Sequence, residues 1–221
     1  MIPKQFERNV MSLGKENQIK LFNSTVSIIG MGGLGGFVLE HLVRLGVGHI
    51  KIVDKDVFEE SNLNRQILSD ANSLGKPKVE VAKIRAKNIN KEVIIDSFEA
   101  EFNEESAQDI LKESDVAVDA LDNNNSRALL FRMAKSLGIP VVHAAVSMTS
   151  GEVRVFFPED ELNDFKKNKG TEEYRGTISP TVAIAASIQA MEVVKILINK
   201  GKVLKAGMYF DLMDNFYSVI E

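Results

Sequence analysis

Apolar runs of four to seven residues recur along the chain from residue 26, and longer amphipathic stretches separate them. The runs have the length and the branched side chains typical of buried strands, and they occupy 26–29, 50–53, 93–98, 116–120 and 140–146. The stretches between them predict helices at about 34–45, 77–90, 104–113 and 125–137. Because this alternation is typical of right-handed crossovers, it predicts an α/β fold, a Rossmann-like, doubly wound and mainly parallel sheet.

The two ends of the chain show different patterns. Residues 1–22 predict a helical N-terminal arm. The last third predicts, in order, an edge strand at 151–157, a charged and mobile crossover loop at 158–176, a buried helix at 182–198 that Ser179 caps, and a closing hairpin from 208–212 and 216–220. The hairpin gives the sheet an antiparallel C-terminal extension. Since no repeat or linker interrupts the pattern, we expect residues 1–221 to form a single domain.

The composition narrows the classes of function. The 221 residues carry a net charge of −4 with scattered Lys and Arg, which argues against a nucleic-acid partner. We find no apolar run long enough to span a bilayer and no signal-peptide core, and therefore expect no membrane partner and a cytoplasmic location. The lack of cysteine excludes disulfides, thiolate catalysis and cysteine-ligated zinc within this chain. The histidines, His41, His49 and His143, fit structural roles better than metal binding.

A glycine-rich motif follows the first predicted strand. Gly30, Gly32 and Gly35 satisfy the spacing G-x-G-x-x-G where the strand must turn into a helix. The free N–H groups that open this helix, from Gly33 onward, are suited to a phosphate. Asp54 ends the second strand 19 residues after Gly35, where a carboxylate can accept the ribose hydroxyls. The motif therefore predicts a nucleotide site.

Further polar residues follow the second strand. Asn62, Arg65 and Lys78 exceed what a dinucleotide site needs and suit a triphosphate. Lys78 lies at the start of a helix opened by Pro77, where its ammonium and the local N–H groups can address phosphate together. The planar fork of Arg65 can bridge two phosphate oxygens. Taken singly, either basic residue also fits a surface salt bridge.

Two carboxylates end the fourth predicted strand. In the commonest order of such sheets, strands one and four are neighbours, so we expect Asp119 and Asp122 to face the glycine-rich turn. One or two carboxylates together with phosphate oxygens are the usual ligands of Mg²⁺. Either residue can instead cap the helix that follows, and for Asp119 the two interpretations are about equally good.

Six sequence blocks occur in a fixed order along the chain. They are Gly-x-Gly-Gly-Leu-Gly, Asp54-x-Asp56, Ser-Asn-Leu-Asn-Arg-Gln, Gly-Lys-Pro-Lys, Asp-x-x-Asp-Asn and Gln189-Ala-Met-Glu192. In this order and spacing they resemble the MoeB/ThiF/HesA family, which is related to the adenylating domain of ubiquitin-activating enzyme. The resemblance extends from Phe6 to Ile220.

This resemblance implies an ATP-dependent adenylyltransferase, in which a substrate carboxylate attacks the α-phosphate, pyrophosphate leaves and an acyl-adenylate forms. It implies a homodimer in which Arg8 reaches the ATP of the partner subunit. It also implies that Asp122 holds Mg²⁺. Many members of the family carry paired C-x-x-C zinc motifs, and because this chain has no cysteine we expect no zinc. The nucleotide-binding residues that it implies are Gly30, Gly32, Gly33, Gly35, Asp54, Asp56, Asn62, Arg65 and Lys78, of which Arg65 and Lys78 serve catalysis together with Asp122 and Arg8.

The chain departs from many relatives of this kind because it has no cysteine. It can activate a carboxylate but cannot hold it as a thioester, so a downstream acceptor protein must supply the thiol. The expected substrate is the C-terminal glycine of a ubiquitin-like sulfur-carrier protein. The alternative is a small-molecule carboxylate, such as the cofactor precursor that a short zinc-free relative activates in the iron-guanylylpyridinol pathway.

Two other functions use some of the same features. An NAD-dependent oxidoreductase would also need the glycines and Asp54, but it leaves Arg65, Lys78 and Asp122 unexplained. A non-catalytic binding subunit that pairs with an active relative would keep the fold, although such subunits usually lose the basic phosphate-binding residues.

Overall fold

Eight strands form one sheet in the part of the chain that the structure, a computed structural model, describes, residues 2–161 and 176–220. The strands are β1 (Thr25–Ile29), β2 (His49–Val53), β3 (Ile94–Phe98), β4 (Val116–Asp119), β5 (Val141–Ser147), β6 (Ser150–Phe156), β7 (Met208–Asp211) and β8 (Phe216–Val219). Their order is β3-β2-β1-β4-β5-β6-β7-β8. Strands β1 to β5 pair in parallel, and β6 to β8 continue the sheet antiparallel. The predicted Rossmann-like α/β fold with an antiparallel extension is confirmed.

Seven α-helices accompany the strands in the described residues. They are α1 (Glu7–Leu13), α2 (Lys15–Phe22), α3 (Gly33–Leu45), α4 (Lys78–Ile89), α5 (Glu104–Leu111), α6 (Asn124–Leu137) and α7 (Ser179–Ile198). One apolar core lies between the sheet and α3, α4 and α7, and a second lies between the sheet and α5 and α6. Strands β1 and β4 are buried almost throughout on both faces, and most of their residues are apolar.

The N-terminal arm is helical, as predicted, but it is broken in the middle. Gly14 adopts φ +89°, a backbone conformation that ends α1 and begins α2 in a new direction. Phe6 anchors the arm, since it is 3% exposed and packs edge-on against Phe22 at 5.1 Å. Asn9 Nδ2 donates to the carbonyl of Arg44, in the last turn of α3, at 3.0 Å. The arm therefore lies at the end of α3 that is remote from the glycine-rich turn.

Helix α7 differs from its prediction in two respects. Ser179 is not its cap, because Ile178 occupies the N-cap position without a side-chain hydrogen bond and Pro180 follows in the first turn. The helix is also long and apolar enough to cross a membrane by length and composition, so the expectation that no such stretch exists was wrong. In this fold α7 packs against α3, β5 and β6 with buried residues along its length, which is typical of a core helix.

Candidate active site

The glycine-rich turn joins β1 to α3 by very close backbone contacts. Gly30 has φ +100°, and a Cβ atom on it would lie 2.6 Å from the carbonyl oxygen of Ala120. A Cβ atom on Gly35 would lie 1.9 Å from the carbonyl oxygen of Gly30. Around Gly32, by contrast, the nearest atom to an added methyl group would be Gln66 Nε2 at 3.7 Å. The turn thus needs glycine for packing at two positions and leaves an open surface at a third, beside the helix N-terminus that favours anions.

A chain of hydrogen bonds connects this turn to α4. The carboxylate of Asp54 accepts from the N–H of Met31 at 2.6 Å and from the N–H of Asp56 at 2.9 Å. Asp56 in turn accepts from Lys78 Nζ at 3.1 Å. The Lys78 side chain is 8% exposed and that of Asp56 is 55% exposed. Three predicted site residues are therefore brought together at the carboxyl edge of the sheet.

The loop before α4 brings Arg65 to the same edge. Its short 3₁₀ helix, Glu60–Asn62, is closed by a capping box in which Asn62 Oδ1 accepts from the N–H of Glu59 at 3.0 Å. Arg65 Nη1 donates to the carbonyl of Ser61 at 2.9 Å. The Arg65 carbonyl lies 3.8 Å from the position of a Cβ atom on Gly33, so the residue borders the first turn of α3. Asn62 shapes the loop, and Arg65 lies beside the predicted phosphate surface.

Asp119 does not face this surface, which corrects the prediction that it helps to hold Mg²⁺. It is fully buried. Its Oδ2 accepts from Arg127 Nε at 2.9 Å and forms a 2.7 Å hydrogen bond with Nδ1 of His143, while its Oδ1 accepts from the N–H of Leu121 at 3.1 Å. Because both of its oxygens are hydrogen-bonded inside the protein, Asp119 has a structural role next to the site.

Asp122 lies in the loop between β4 and α6 with an exposed side chain. Its hydrogen bond from Asn123 Nδ2 is long, at 3.5 Å. The nearby Lys55 has a raised pKa, chiefly because of its hydrogen bond with Glu101, and the charges of Asp56 and Asp122 contribute. Asp122 thus lies within electrostatic reach of residues that follow β2, near the glycine-rich turn.

The protonation of the buried residues Asp119 and His143 depends on the hydrogen bond between them. Burial raises the pKa of Asp119, but the hydrogen bond and charge of His143 and the charge of Arg127 outweigh it, so that this pKa is lowered. Burial lowers the pKa of His143, yet its hydrogen bonds with Asp119 and Glu152 raise that pKa above 6.5 on balance. The hydrogen bond with His143 also lowers the pKa of Glu152. His143 therefore lies between two carboxylates, and both stabilise its protonated form.

Sequence reasoning missed Arg127 and the pairing of His143 with Asp119. Arg127 follows Asp119 by eight residues, so the spacing Asp-x-x-Asp-Asn-x-x-x-Arg was a signal for a helix residue that reaches back to the strand end. His143 contacts Asp119 only because β4 and β5 pair with these two residues in register. Gln189 begins one of the six sequence blocks, but its role was not predicted: its Nε2 donates to the carbonyls of Asp119 and Val142, both at 2.8 Å.

Two predicted site residues lie apart from the edge formed by Asp54, Asp56, Lys78 and Arg65. Asp122, predicted to bind metal, and Arg8, predicted to reach the partner's nucleotide, make no direct contact with it among the described contacts. Among residues 2–161 and 176–220, no cluster of three His, Asp or Glu side chains is arranged to hold a metal ion. A single exposed carboxylate, that of Asp122, fits Mg²⁺ that arrives with phosphate oxygens as its other ligands. Arg8 is exposed on α1, next to Asn9 and at the far end of α3. Helix α3 has 13 residues and is therefore about 20 Å long.

A glycine-rich turn, a carboxylate that holds it and two basic residues at one sheet edge define an α/β protein built to bind a nucleotide. The model of the ThiF family matches residues 6–221, and the chain belongs to this family. The resemblance seen in the sequence blocks is confirmed.

Individual relatives agree with this assignment. The chain is 31% identical to SAMP-activating enzyme E1 of Haloferax volcanii, over 98% of this chain and 84% of that protein. It is 34% identical to molybdopterin-synthase adenylyltransferase of Haemophilus influenzae, over 86% of this chain and 82% of that protein. The crystal structure of Escherichia coli MccB with ATP shares the fold, with a TM-score of 0.84 at 22% identity over 98% of this chain and 71% of that one. The chain is an enzyme of the adenylyltransferase type, so neither the oxidoreductase nor the non-catalytic subunit is retained.

Proposed function

We propose that this enzyme activates a carboxylate with ATP, and that its substrate is the C-terminal glycine of a ubiquitin-like or sulfur-carrier protein. A carboxylate oxygen forms a bond to the α-phosphorus while the bond to the bridging oxygen breaks, and pyrophosphate leaves with that electron pair. The products are an acyl-adenylate and pyrophosphate, and no proton transfer is required. The observation that carries the proposal is the convergence of Lys78, Arg65 and the open first turn of α3 at one sheet edge.

Each residue of this edge has a part in the proposed reaction. The free lone pairs of Asp54 accept the ribose hydroxyls, and its existing bond to the N–H of Met31 fixes the carboxylate for that purpose. Lys78 exchanges Asp56 for a phosphate oxygen, and Arg65 holds the leaving pyrophosphate. Asn62 keeps the loop in shape through its Oδ1, and its Nδ2, which donates to Ser61 Oγ at 3.4 Å, exchanges that weak bond for one to a phosphate oxygen.

The proposed reaction uses Mg²⁺ together with the nucleotide. Mg²⁺, when bound, neutralises charge on the phosphates. Asp122 is the residue that would hold it, because its carboxylate is exposed at the strand edge beside the glycine-rich turn. Positioning and charge neutralisation suffice for this chemistry, since the reaction needs no side-chain nucleophile.

The proposed assembly is a homodimer in which Arg8 acts on the partner's nucleotide. Within one chain, the arm that bears Arg8 is bound at the C-terminal end of α3, while the phosphate surface is at its N-terminal end. A side chain of this length does not span a helix of 13 residues. The location of the arm therefore supports a role across the subunit interface.

A small-molecule carboxylate is the second candidate substrate. The absence of cysteine favours it, because this chain cannot transfer an activated glycine to a thiol of its own. With a carrier protein as substrate, the adenylate must instead pass to an acceptor protein that supplies the thiol.

Exchange of labelled pyrophosphate into ATP tests the proposal. Wild-type enzyme should exchange only with its substrate present, so the panel contains carrier proteins with free Gly-Gly ends and small aromatic and heterocyclic acids. Arg65→Ala should abolish exchange and keep the fold. The matched control is Arg132→Ala, because Arg132 is exposed on α6 and pairs with Glu104 there. Normal exchange by Arg65→Ala would contradict the assigned role, and stabilisation by NAD(H) in preference to Mg²⁺-ATP would contradict the function.

A further inference from the structure

Arg127, in the first turn of α6, holds the loop that carries Asp122 at three points. Its Nε donates to Asp119 Oδ2 at 2.9 Å, its Nη2 to the carbonyl of Leu121 at 2.8 Å, and its Nη1 to Asn124 Oδ1 at 2.9 Å. The acceptors lie on both sides of Asp122 in the sequence. Because the Arg127 side chain is only 15% exposed, water competes little for these bonds.

The guanidinium of Arg127 is itself held in place by the buried pair of Asp119 and His143. The Asp119 oxygen that it contacts also bonds to His143 Nδ1 at 2.7 Å. His143 lies against the rings of Phe131 and Phe156, with centroids 6.2 and 6.3 Å away. Since every member of this group is packed or bonded, the position of the guanidinium is set by the sheet rather than by the loop.

Asp122 has no comparable support of its own among the described contacts. Its side chain is exposed, and its hydrogen bond with Asn123 is 3.5 Å long. The location of its carboxylate therefore follows the backbone of residues 120–124, which Arg127 holds through the carbonyl of Leu121 and through the side chain of Asn124.

We propose that Arg127 is a positioning residue for the adenylation reaction: by holding the 120–124 loop it sets where Asp122 meets the metal–nucleotide complex. The proposal rests on the function given above, in which Asp122 holds Mg²⁺. Arg127 is engaged on all three of its hydrogen-bonding nitrogens and acts through Asp122, without contact to the substrate. A displacement of about 1 Å at a catalytic group can cost up to about 100-fold in rate, so the loop geometry matters for activity.

Arg127→Lys tests the proposal. Lysine keeps the charge beside Asp119 but cannot serve three acceptors in a planar fork. We expect the Kd for Mg²⁺-ATP to rise about tenfold, while the Kd for ATP in EDTA changes less than twofold. In pyrophosphate exchange the KM for Mg²⁺-ATP should rise and that for the carboxylate should not. Arg132→Lys, five residues further along α6, is the matched control and should behave as wild type.

A second variant and a double variant separate positioning from support of the fold. Asn124→Ala removes one exposed acceptor and should raise the Kd for Mg²⁺-ATP by a smaller factor, about threefold, even if Arg127→Lys does not fold. In an Asp122→Asn background, Arg127→Lys should add less than a twofold effect, because the two residues act through one contact.

The outcomes distinguish this inference from the function on which it rests. Equal losses with and without Mg²⁺, or full additivity with Asp122→Asn, would overturn the positioning role and leave only a structural one. The positioning role would also be overturned if Arg127→Lys had the same Kd for Mg²⁺-ATP as Arg132→Lys while the wild type exchanged pyrophosphate normally. A wild type that neither binds ATP nor exchanges pyrophosphate would instead contradict the proposed function.

Discussion

A single methyl group at Gly35 should destabilise the fold without touching the nucleotide surface. The added Cβ atom would lie 1.9 Å from the Gly30 carbonyl oxygen, about 1.5 Å closer than the 3.4 Å at which ordinary contact begins. Both partners are backbone, and a hydrogen bond between Gly30 N–H and the Val53 carbonyl at 2.9 Å holds one of them. Neither can rotate away as a side chain would, so α3 must shift from the sheet.

The cost can be worked out from this geometry. Overpacking that forces backbone shifts typically costs about 1–3 kcal/mol and occasionally more, and a clash of 1.9 Å with a backbone atom places Gly35→Ala at or above the top of that range, at about 3 kcal/mol or more. Alanine at a helical position returns at most about 1 kcal/mol relative to glycine. The net loss for Gly35→Ala is then at least about 2 kcal/mol, which lowers Tm by at least about 4 °C for a chain of this size.

Gly32→Ala is the matched control, three residues away in the same turn. Its methyl would find only Gln66 Nε2 within 4 Å, at 3.7 Å, so the added group meets no clash of the kind found at Gly35. We expect its unfolding free energy, from urea titrations, to fall clearly less than that of Gly35→Ala. Its affinity for Mg²⁺-ATP should fall about tenfold, because the methyl covers the phosphate surface. If Gly35→Ala proved as stable as Gly32→Ala, the close approach of α3 to the turn would be wrong.

Three further predictions concern the charged residues. Asp122→Asn should weaken binding of Mg²⁺-ATP by about tenfold or more and binding of metal-free ATP hardly at all, as measured by calorimetry; equal losses would assign Asp122 to capping. His143 has a raised pKa in the folded protein, so its contribution to stability should be complete below pH 6.5 and should be lost as the pH rises through that raised value. The charged neighbours of His143 are Asp119, Glu152 and Arg127. Urea titrations from pH 6 to 9 should show that the free energy of unfolding falls with rising pH in the wild type and not in His143→Gln. Inactive Arg8→Ala and Arg65→Ala chains, mixed and allowed to exchange subunits, should regain about a quarter of wild-type exchange activity, since half of the dimers then contain one intact site; no recovery would exclude action across the interface.

The features that the sequence predicted correctly are those encoded by local spacing. A strand, a turn and a helix over ten residues fix where Gly30 and Gly35 must lie, and the turn that the structure shows follows directly. The neighbouring positions of β1 and β4 followed from the commonest strand order. The charged crossover loop predicted at 158–176 lies largely outside the described residues, since 162–175 are not among them.

The structural features that the sequence did not predict depend on strand register and on burial. Asp119 looks like a strand-end metal ligand in one dimension, but the pairing of β4 with β5 places His143 beside it, 24 residues away. The same Asp-x-x-Asp pattern therefore contains one buried carboxylate and one exposed carboxylate, and spacing alone does not distinguish them. Ser179 failed as a cap for a similar reason, because the helix begins one residue earlier than its composition indicates.

Burial also separates the ion pairs of this edge into two kinds. Lys78 pairs with Asp56, whose side chain is 55% exposed, so water can solvate that carboxylate when the lysine turns to a phosphate, and the exchange costs little. Arg127 pairs with Asp119, which is fully buried, and loss of that carboxylate would leave the charge of Arg127 unpaired at a cost of about 3–5 kcal/mol. The first pair is therefore suited to change partners during a reaction cycle, and the second is suited to remain in place. An enzyme that binds and releases a triphosphate needs both kinds: exchangeable cations at the surface of the site and a fixed base on which the loop that bears Asp122 is built.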